Sequence, residues 1–140
     1  MFRDVTVEEL NNYSKNSLIE HLSIQFTEVG SDFIAAKMPV IAKTQQPFGY
    51  LHGGASISLA ETIGSFASYL SIDPEKFNVF GLSVNANHVR SKRSGFVIAI
   101  AKPIHIGSKT HIWDIKVCDE DDKLISTIRL TNIVVEARNE

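Results

Sequence analysis

Residues 53–71 read GGASISLAETIGSFASYLS, the one long helical pattern in the chain. Its large apolar side chains recur at spacings of four, three and four, the period of an α-helix, at Leu59, Ile63, Phe66 and Leu70. Glu61 is the only charged residue between His52 and Asp73. A helix that is apolar on most of its sides is a buried helix. The sequence therefore predicts one long helix at the centre of the molecule.

The few polar residues of this helix form a narrow stripe, at Ser58, Glu61, Ser65 and Ser68. A lone carboxylate on a buried helix is costly to keep charged unless a neighbour or water hydrogen-bonds it. Because Ser65 lies one turn after Glu61 on the same face, we expect its hydroxyl to donate to the carboxylate. Glu61 taken alone fits a structural role as well as a catalytic one.

The rest of the chain predicts strands around this helix. Thr6 and Glu9 have the spacing of a capping box, which predicts a short helix near the start. Apolar and β-branched patterns predict strands at 22–28, 33–40, 79–89, 96–106, 110–117 and 124–135. Pro103 lies inside one of these runs and indicates an edge position or a bulge. We therefore expect an α+β fold, one domain over residues 1–140, with a mostly antiparallel sheet packed on one helix.

Composition excludes several classes of protein. With 44% hydrophobic residues and a net charge of −2, the chain is not disordered. Its 14 basic residues face 16 acidic ones, which argues against nucleic-acid binding. The single cysteine, Cys118, excludes a disulfide framework, and the five histidines lack metal-ligand spacing, so we expect no metal. No apolar run approaches the roughly 18 residues that span a membrane. Because no signal peptide is visible either, we expect a soluble cytoplasmic protein.

The segment before the long helix carries a second polar group. Residues 46–54 read QPFGYLHGG and end where the helix begins. Two glycines there let a ligand approach the backbone, and the first-turn N–H groups lack partners within the helix. These donors and the positive end of the helix dipole suit a carbonyl oxygen that gains negative charge. Two glycines alone also fit a tight loop, but their combination with Gln46, His52 and Glu61 favours a catalytic site.

These blocks together resemble the signature of the hotdog-fold acyl-CoA thioesterases. The resemblance rests on QPFGYLHGGAS at 46–56 and LAETIGS at 59–65, and it resumes with VNANHVR at 84–90 and GSK at 107–109. It is greatest to the branch that contains the 1,4-dihydroxy-2-naphthoyl-CoA thioesterase of menaquinone synthesis and the enterobactin-pathway proofreading thioesterase. The resemblance implies a hotdog fold, in which a curved antiparallel sheet wraps a long central helix, and no metal or organic cofactor.

The resemblance also implies the role of each residue. Glu61 would be the catalytic carboxylate, either as nucleophile on the thioester or as general base for water. The Gly53 N–H would polarise the thioester carbonyl, and Ser65 would assist from the next turn. Gln46 and His52 would orient the thioester or the water. The sequence does not choose between the two mechanisms.

The coenzyme A moiety carries phosphates, and a cluster of cations at Arg90, Lys92 and Arg93 indicates where an anion binds. The expected substrate- and CoA-binding residues are His88, Arg90, Ser108 and Lys109, with His88 lining the acyl or pantetheine channel. Many relatives carry arginine in place of Lys109, and lysine keeps the charge but loses the bidentate geometry. Each cation alone also fits a solvated strand end. His105 and His111 bracket a turn, and we interpret both as ordinary strand-end residues.

The resemblance further implies a homodimer, assembled into a homotetramer, with active sites at the subunit interface. One subunit would supply Gln46, His52 and Gly53, and the other Glu61 and Ser65. The expected substrate is an acyl-CoA with an aromatic or hydroxyaromatic acyl group. A housekeeping or proofreading thioesterase that acts on acyl carrier protein, and a noncatalytic acyl-CoA-binding domain, stay open as alternatives. A hydratase is disfavoured because no acid–base pair of His and Asp is evident.

Overall fold

A six-stranded antiparallel sheet packs against one long helix in the computed structural model, which describes residues 1–138. The helices are α1 (Val7–Tyr13), α2 (Leu18–His21) and α3 (Gly53–Leu70), with a short 3₁₀ turn at Ala42–Thr44. The strands are β1 (Gln25–Val29), β2 (Ile34–Pro39), β3 (Phe77–His88), β4 (Phe96–Ile106), β5 (Thr110–Cys118) and β6 (Leu124–Glu136). The α+β prediction is therefore confirmed.

The sheet has the strand order β1-β2-β4-β5-β6-β3, so β1 and β3 are its edges. Strands β2 to β6 all contact α3. On β5 every second side chain is buried, and Trp113 is fully inaccessible to solvent, as its strand pattern predicts. Burying each such apolar side chain contributes about 1.5–3 kcal/mol to folding.

The long helix was predicted correctly to within two residues at its ends. Leu59 and Ile63 are fully buried on its sheet-facing side. Gly64 lets the helix lie close to the sheet, because a Cβ there would stand only 2.5 Å from Leu130 Cδ2. No helix among residues 1–138 is long and apolar enough to cross a membrane.

Two details of the strands differ from or refine the prediction. The strand predicted from residue 22 begins only at Gln25, because Ser17 caps the short helix α2 and Ser23 turns the chain with a φ of 58°. Within β4, the pairing with β5 shifts register between Pro103 and His105. The pairing with β2 ends at Ala101, so the predicted bulge is confirmed and Pro103 needs no ladder hydrogen bond to β2.

Candidate active site

Helix α3 begins with a free backbone donor. His52 is its N-cap, and the His52 Nδ1 accepts a hydrogen bond of 2.8 Å from the Gly54 N–H. The His52 carbonyl accepts from the N–H of Ala55 at 2.9 Å and of Ser56 at 3.3 Å. The Gly53 N–H has no acceptor among residues 1–138. A donor at the positive end of the helix is therefore available to a ligand.

A cavity of about 420 Å³ opens onto this donor, and we call it the Gly53 cavity. It is lined by Gln46, Leu51, Gly53, Ser56, His88, Val89, Arg90, Ser91, Ile125 and Ser126. The structure thus brings together four residues predicted from sequence, namely Gln46, Gly53, His88 and Arg90. His52 is exposed and does not line this cavity, since its ring is turned to cap the helix.

The loop before α3 fixes the side chain of Gln46. The Gln46 backbone N–H donates to the Tyr50 carbonyl at 2.8 Å, and the Gln46 carbonyl accepts from Gly49 at 3.0 Å. The Gln46 Oε1 accepts from the Phe48 N–H. Because the amide oxygen is engaged, the Nε2 group is the part of Gln46 that remains to donate to a ligand.

His88 stands directly against the helix start. A Cβ added to Gly53 would lie 2.7 Å from the His88 Nε2, so the ring fills the space that a side chain would need. The His88 Nδ1 lies 2.7 Å from the Ser126 Oγ, its cross-strand neighbour on β6. Sequence reasoning missed Ser126, because only the register of β3 against β6 pairs it with His88.

Glu61 lies in a separate groove of about 290 Å³, lined by Leu18, Ile57, Ser58, Glu61, Thr62 and Ser65, which we call the Glu61 groove. With residues 1–138 the carboxylate makes no ion pair and no hydrogen bond. The predicted bond from Ser65 is therefore wrong, although Ser65 lines the same groove. The hydroxyls of Ser58 and Thr62 donate to carbonyls of their own helix instead, at 2.9 and 2.6 Å. The carboxylate is left free to react or to accept from a ligand.

A pocket rich in aromatic side chains adjoins this groove. It measures about 370 Å³ and is lined by Tyr13, Ser65, Phe66, Tyr69 and Val79, and we call it the aromatic pocket. Ser65 lines both spaces, so they meet there. Sequence reasoning missed this pocket because Phe66 fits the helical period of core residues equally well.

The two candidate halves of the site lie apart within one chain. Glu61 follows Gly53 by eight residues on the same helix, which places them about 12 Å apart along its axis. A donor and a carboxylate that act on one carbonyl group must each come within about 3 Å of it. One chain therefore presents the Gly53 donor and the Glu61 carboxylate to different spaces.

The predicted cation cluster is divided by the structure. Arg90 lines the Gly53 cavity. Lys92 pairs with Glu120, and this hydrogen bond lowers the pKa of the Glu120 carboxyl. Arg93 stacks over the Tyr50 ring with its guanidinium 4.7 Å from the ring centre. Arg90 is therefore the member of the cluster that is placed to meet a ligand of the cavity.

Ser108 and Lys109 lie in the turn between β4 and β5, at the other end of the sheet. Thr110 begins β5 beside Ile133, whereas the Gly53 cavity lies at the level of Ser126. Seven residues of strand separate these levels, which is about 23 Å. Within one chain the structure does not bring this turn to His88 and Arg90.

Ser68, the last residue of the predicted stripe, faces the core instead of the groove. Its Oγ accepts from the Trp113 Nε1 at 2.7 Å and the Asn132 Nδ2 at 2.8 Å, which leaves its proton for the His111 Nδ1 at 2.9 Å. Burial lowers the pKa of His111, which is only 1% exposed. His111 lies at the start of β5, as expected of a strand-end residue, but the sequence did not predict its burial or its bond to Ser68.

Comparison with known proteins places the chain in a family. The model of the thioesterase superfamily matches residues 48–126. The 1,4-dihydroxy-2-naphthoyl-CoA hydrolase of Escherichia coli K12 is 46% identical over 133 residues, 95% of this chain and 97% of that protein. The proofreading thioesterase EntH of Cronobacter turicensis is 42% identical over 133 residues, 95% and 96% of the two chains. A solved structure of a variant of thioesterase PA1618 from Pseudomonas aeruginosa has a TM-score of 0.95 at 46% identity, covering 97% of this chain and 99% of that one. The chain belongs to the thioesterase superfamily, and it is a thioester hydrolase with the hotdog fold.

Proposed function

We propose that this thioesterase hydrolyses an aromatic acyl-CoA to the free acid and coenzyme A, with 1,4-dihydroxy-2-naphthoyl-CoA as the first candidate. This proposal rests on the Glu61 carboxylate, which has no partner within residues 1–138 and lies beside the aromatic pocket. Flat rings pack well against aromatic side chains such as Phe66 and Tyr69. The similarity to the Escherichia coli hydrolase of that substrate supports the same acyl group.

The active site is completed by a second copy of the chain. Because Gly53 and Glu61 lie about 12 Å apart on one helix, they reach the same carbonyl only if each comes from a different subunit. Gln46, His52 and Gly53 come from one subunit, and Glu61 and Ser65 from the other. The edge strand β3 supports this pairing, since Phe80, Leu82 and Val84 are exposed along it.

The homodimer is the unit that completes each site, within a homotetramer. Exposed isoleucines on β4, namely Ile100, Ile104 and Ile106, offer a second apolar surface for this further assembly. Large exposed apolar surfaces mark interfaces more often than free solvent-facing faces.

Each residue then has one task in the reaction. The Gly53 N–H and the Gln46 Nε2 hold the carbonyl oxygen as it becomes negative. As a nucleophile, Glu61 attacks the carbonyl carbon and the bond to sulfur breaks, which leaves a mixed anhydride that water hydrolyses to the free acid. As a general base, Glu61 instead takes the proton of the water that attacks the carbonyl carbon. In either route CoA leaves as a thiolate and takes up a proton. His52 and Ser65 orient the reacting groups. His88, Arg90, Ser108 and Lys109 bind the CoA moiety, with charge-assisted hydrogen bonds to its phosphates.

Subunit complementation tests both the residues and the shared site. The Glu61→Gln and Gln46→Ala variants should each lose at least about 10²-fold in kcat. A heterodimer of the two variants contains one site without a substitution, so a co-refolded equimolar mixture should regain roughly a quarter of wild-type activity. A mixture no more active than its components contradicts the shared site. A folded Glu61→Gln protein with the wild-type rate contradicts the role of Glu61.

A substrate panel tests the acyl group. Hydroxynaphthoyl-, benzoyl- and hexanoyl-CoA are compared by release of free thiol. A strong preference for the hydroxyaromatic ester supports the proposal. A flat profile contradicts it and supports a housekeeping hydrolase.

A second candidate function is proofreading of acyl carrier protein, which the similarity to the proofreading thioesterase EntH favours. Aroyl-CoA and the same aroyl group on a holo-carrier protein are compared by kcat/KM. A higher value for the carrier protein selects this second function. The noncatalytic alternative is set aside, because the chain belongs to a family of thioester hydrolases.

A further inference from the structure

The aromatic pocket has an outer wall that comes from the start of the chain. Tyr13, the last residue of α1, lines this pocket together with Phe66 and Tyr69. Leu18, the first residue of α2, lines the Glu61 groove. Both lie outside residues 48–126, the segment that matches the superfamily model. This part of the chain therefore adds a wall to a site whose reactive groups lie within that segment.

The wall is held in place by several independent contacts. Leu10 of α1 is fully buried in the core. The Asn11 side chain donates to the Phe26 carbonyl at 3.2 Å and accepts from the Phe26 N–H at 2.8 Å. The predicted capping box of Thr6 and Glu9 is formed and fixes the first turn of α1. Tyr13 is therefore presented from a fixed helix.

The same N-terminal segment also fixes the opposite side of the pocket. The Arg3 guanidinium donates to the carbonyls of Tyr69 at 2.6 Å and Ile72 at 2.9 Å, and its charge lies 4.6 Å from the centre of the Tyr69 ring. The Arg3 N–H donates to the Leu70 carbonyl at 2.8 Å. Arg3 thus ties the end of α3, and with it Tyr69, to the segment that presents Tyr13. The pocket is preorganised on both sides.

The two wall residues are large and apolar, yet they are exposed: 66% for Tyr13 and 61% for Leu18. When a ligand covers apolar side chains that line a cavity, their apolar surface is removed from water, and this favours binding. A flat ring would find the Tyr13, Phe66 and Tyr69 rings around it, in the offset and edge contacts that aromatic groups favour. A flexible alkyl chain makes none of these ring contacts, so the pocket contributes less to its binding free energy.

We propose that Tyr13 and Leu18 are specificity-determining residues, which select an aromatic acyl group. The acyl ring packs between Tyr13, Phe66 and Tyr69, and Leu18 covers the groove where the ring joins the thioester carbonyl. This inference rests on the proposed function, in which Glu61 acts on the thioester.

The test compares kcat/KM for hydroxynaphthoyl-CoA with kcat/KM for hexanoyl-CoA. Tyr13→Ala and Leu18→Ala should each lower kcat/KM for hydroxynaphthoyl-CoA about tenfold, which is the size of effect expected for one lost pocket contact. Each should lower kcat/KM for hexanoyl-CoA less than about twofold. Tyr13→Phe should stay within about twofold of the wild type, because it keeps the ring. Asn12→Ala, an exposed neighbour in the same helix, is the matched control and should change neither value.

Equal losses for the two substrates, or no loss for either, would overturn the proposal, and so would a Tyr13→Phe protein as impaired as Tyr13→Ala.

A second measurement avoids catalysis altogether. In the Glu61→Gln background, Tyr13→Ala should raise the Kd of a nonhydrolysable hydroxynaphthoyl-CoA thioether about tenfold. If Glu61→Gln retains hydrolysis, the catalytic assignment fails. If Glu61→Gln is inactive and the selectivity of Tyr13→Ala is unchanged, only the inference about the wall fails.

Discussion

The carboxylate of Glu61 lies against the backbone of Gly81 on β3, so close that a Cβ at residue 81 would stand 3.0 Å from the Glu61 Oε2. Gly81 lies beside a β-bulge, since the pairing of β3 with β6 shifts register between Gly81 and Ser83. The bulge and the missing side chain together make room for the carboxyl group. The edge strand thus forms part of the floor under the proposed catalytic residue.

Gly81→Ala should lower kcat about tenfold with little change in KM, since a displaced carboxylate loses about 1.4 kcal/mol of transition-state stabilisation. The backbone accepts the substitution, because Gly81 is not among the residues with positive φ. Steady-state kinetics and a thermal melt check this. Ser83→Ala, on the other side of the bulge, is the matched control. A Gly81→Ala enzyme with unchanged kcat would show that the carboxylate adjusts without loss.

Arg90→Ala should raise KM for CoA thioesters several-fold and change KM for N-acetylcysteamine thioesters much less, because the short substrate lacks the phosphates. Lys92→Ala is the control, since Lys92 is already paired with Glu120. Lys109→Ala should behave like Arg90→Ala, because in the proposed assembly the turn at residues 107–109 contacts the CoA moiety. Equal losses on both substrate types would place either residue outside the CoA site.

The free energy of unfolding should fall as the pH drops below about 6.5, because that is the ordinary pKa of histidine in the unfolded chain. Burial lowers the pKa of His111 in the folded protein, so the unfolded chain binds a proton more readily. The stabilisation from neutral His111 is complete above about pH 6.5 and is lost as the pH falls toward the lowered value. Urea unfolding at about pH 7.5 and at about pH 5 measures the loss.

His111→Gln should make this pH dependence smaller, while His21→Gln, which changes an exposed histidine of α2, should leave it as in the wild type. Ser68→Ala should lower the free energy of unfolding by about 1–3 kcal/mol near neutral pH, because the buried Trp113 Nε1–H and one Asn132 N–H lose their acceptor. An unchanged pH dependence in His111→Gln would assign the effect to other groups.

Leu82→Lys on the edge strand should dissociate the dimer and abolish hydrolysis together, because a buried unpaired charge opposes association by several kcal/mol. Leu82 is 59% exposed, so the single chain should still fold. Analytical ultracentrifugation and circular dichroism separate the two effects. Glu28→Ala on β1, the opposite edge of the sheet, is the exposed surface control. An active monomer would contradict the shared site.

Much of the fold follows from the sequence because its signals are local. The helical period of Leu59 and Ile63 places α3, and Pro103 locates the bulge in β4. The joining of Gln46 and Gly53 in one cavity follows from the short loop between them.

What was missed depends on tertiary contacts between distant segments. Spacing places Ser68 on the same helical face as Glu61, yet β5 and β6 cover Ser68 while Glu61 remains partly open. Periodicity shows the face of a helix and not which strand covers it. Tyr13 likewise reaches the aromatic pocket only because α1 docks beside α3, which no local pattern reports.

The ring of His52 links the start of α3 to the chemistry of the site. Its Nδ1 caps the N-terminus of α3 by accepting a hydrogen bond from the Gly54 N–H, so the proton of the neutral ring resides on Nε2. Nucleation of α3 therefore also sets the tautomer of His52 and leaves the Gly53 N–H unoccupied. Formation of the first turn of α3 therefore also positions the donor that the reaction needs. A chain in which this turn is frayed no longer holds the Gly53 N–H in place for the substrate.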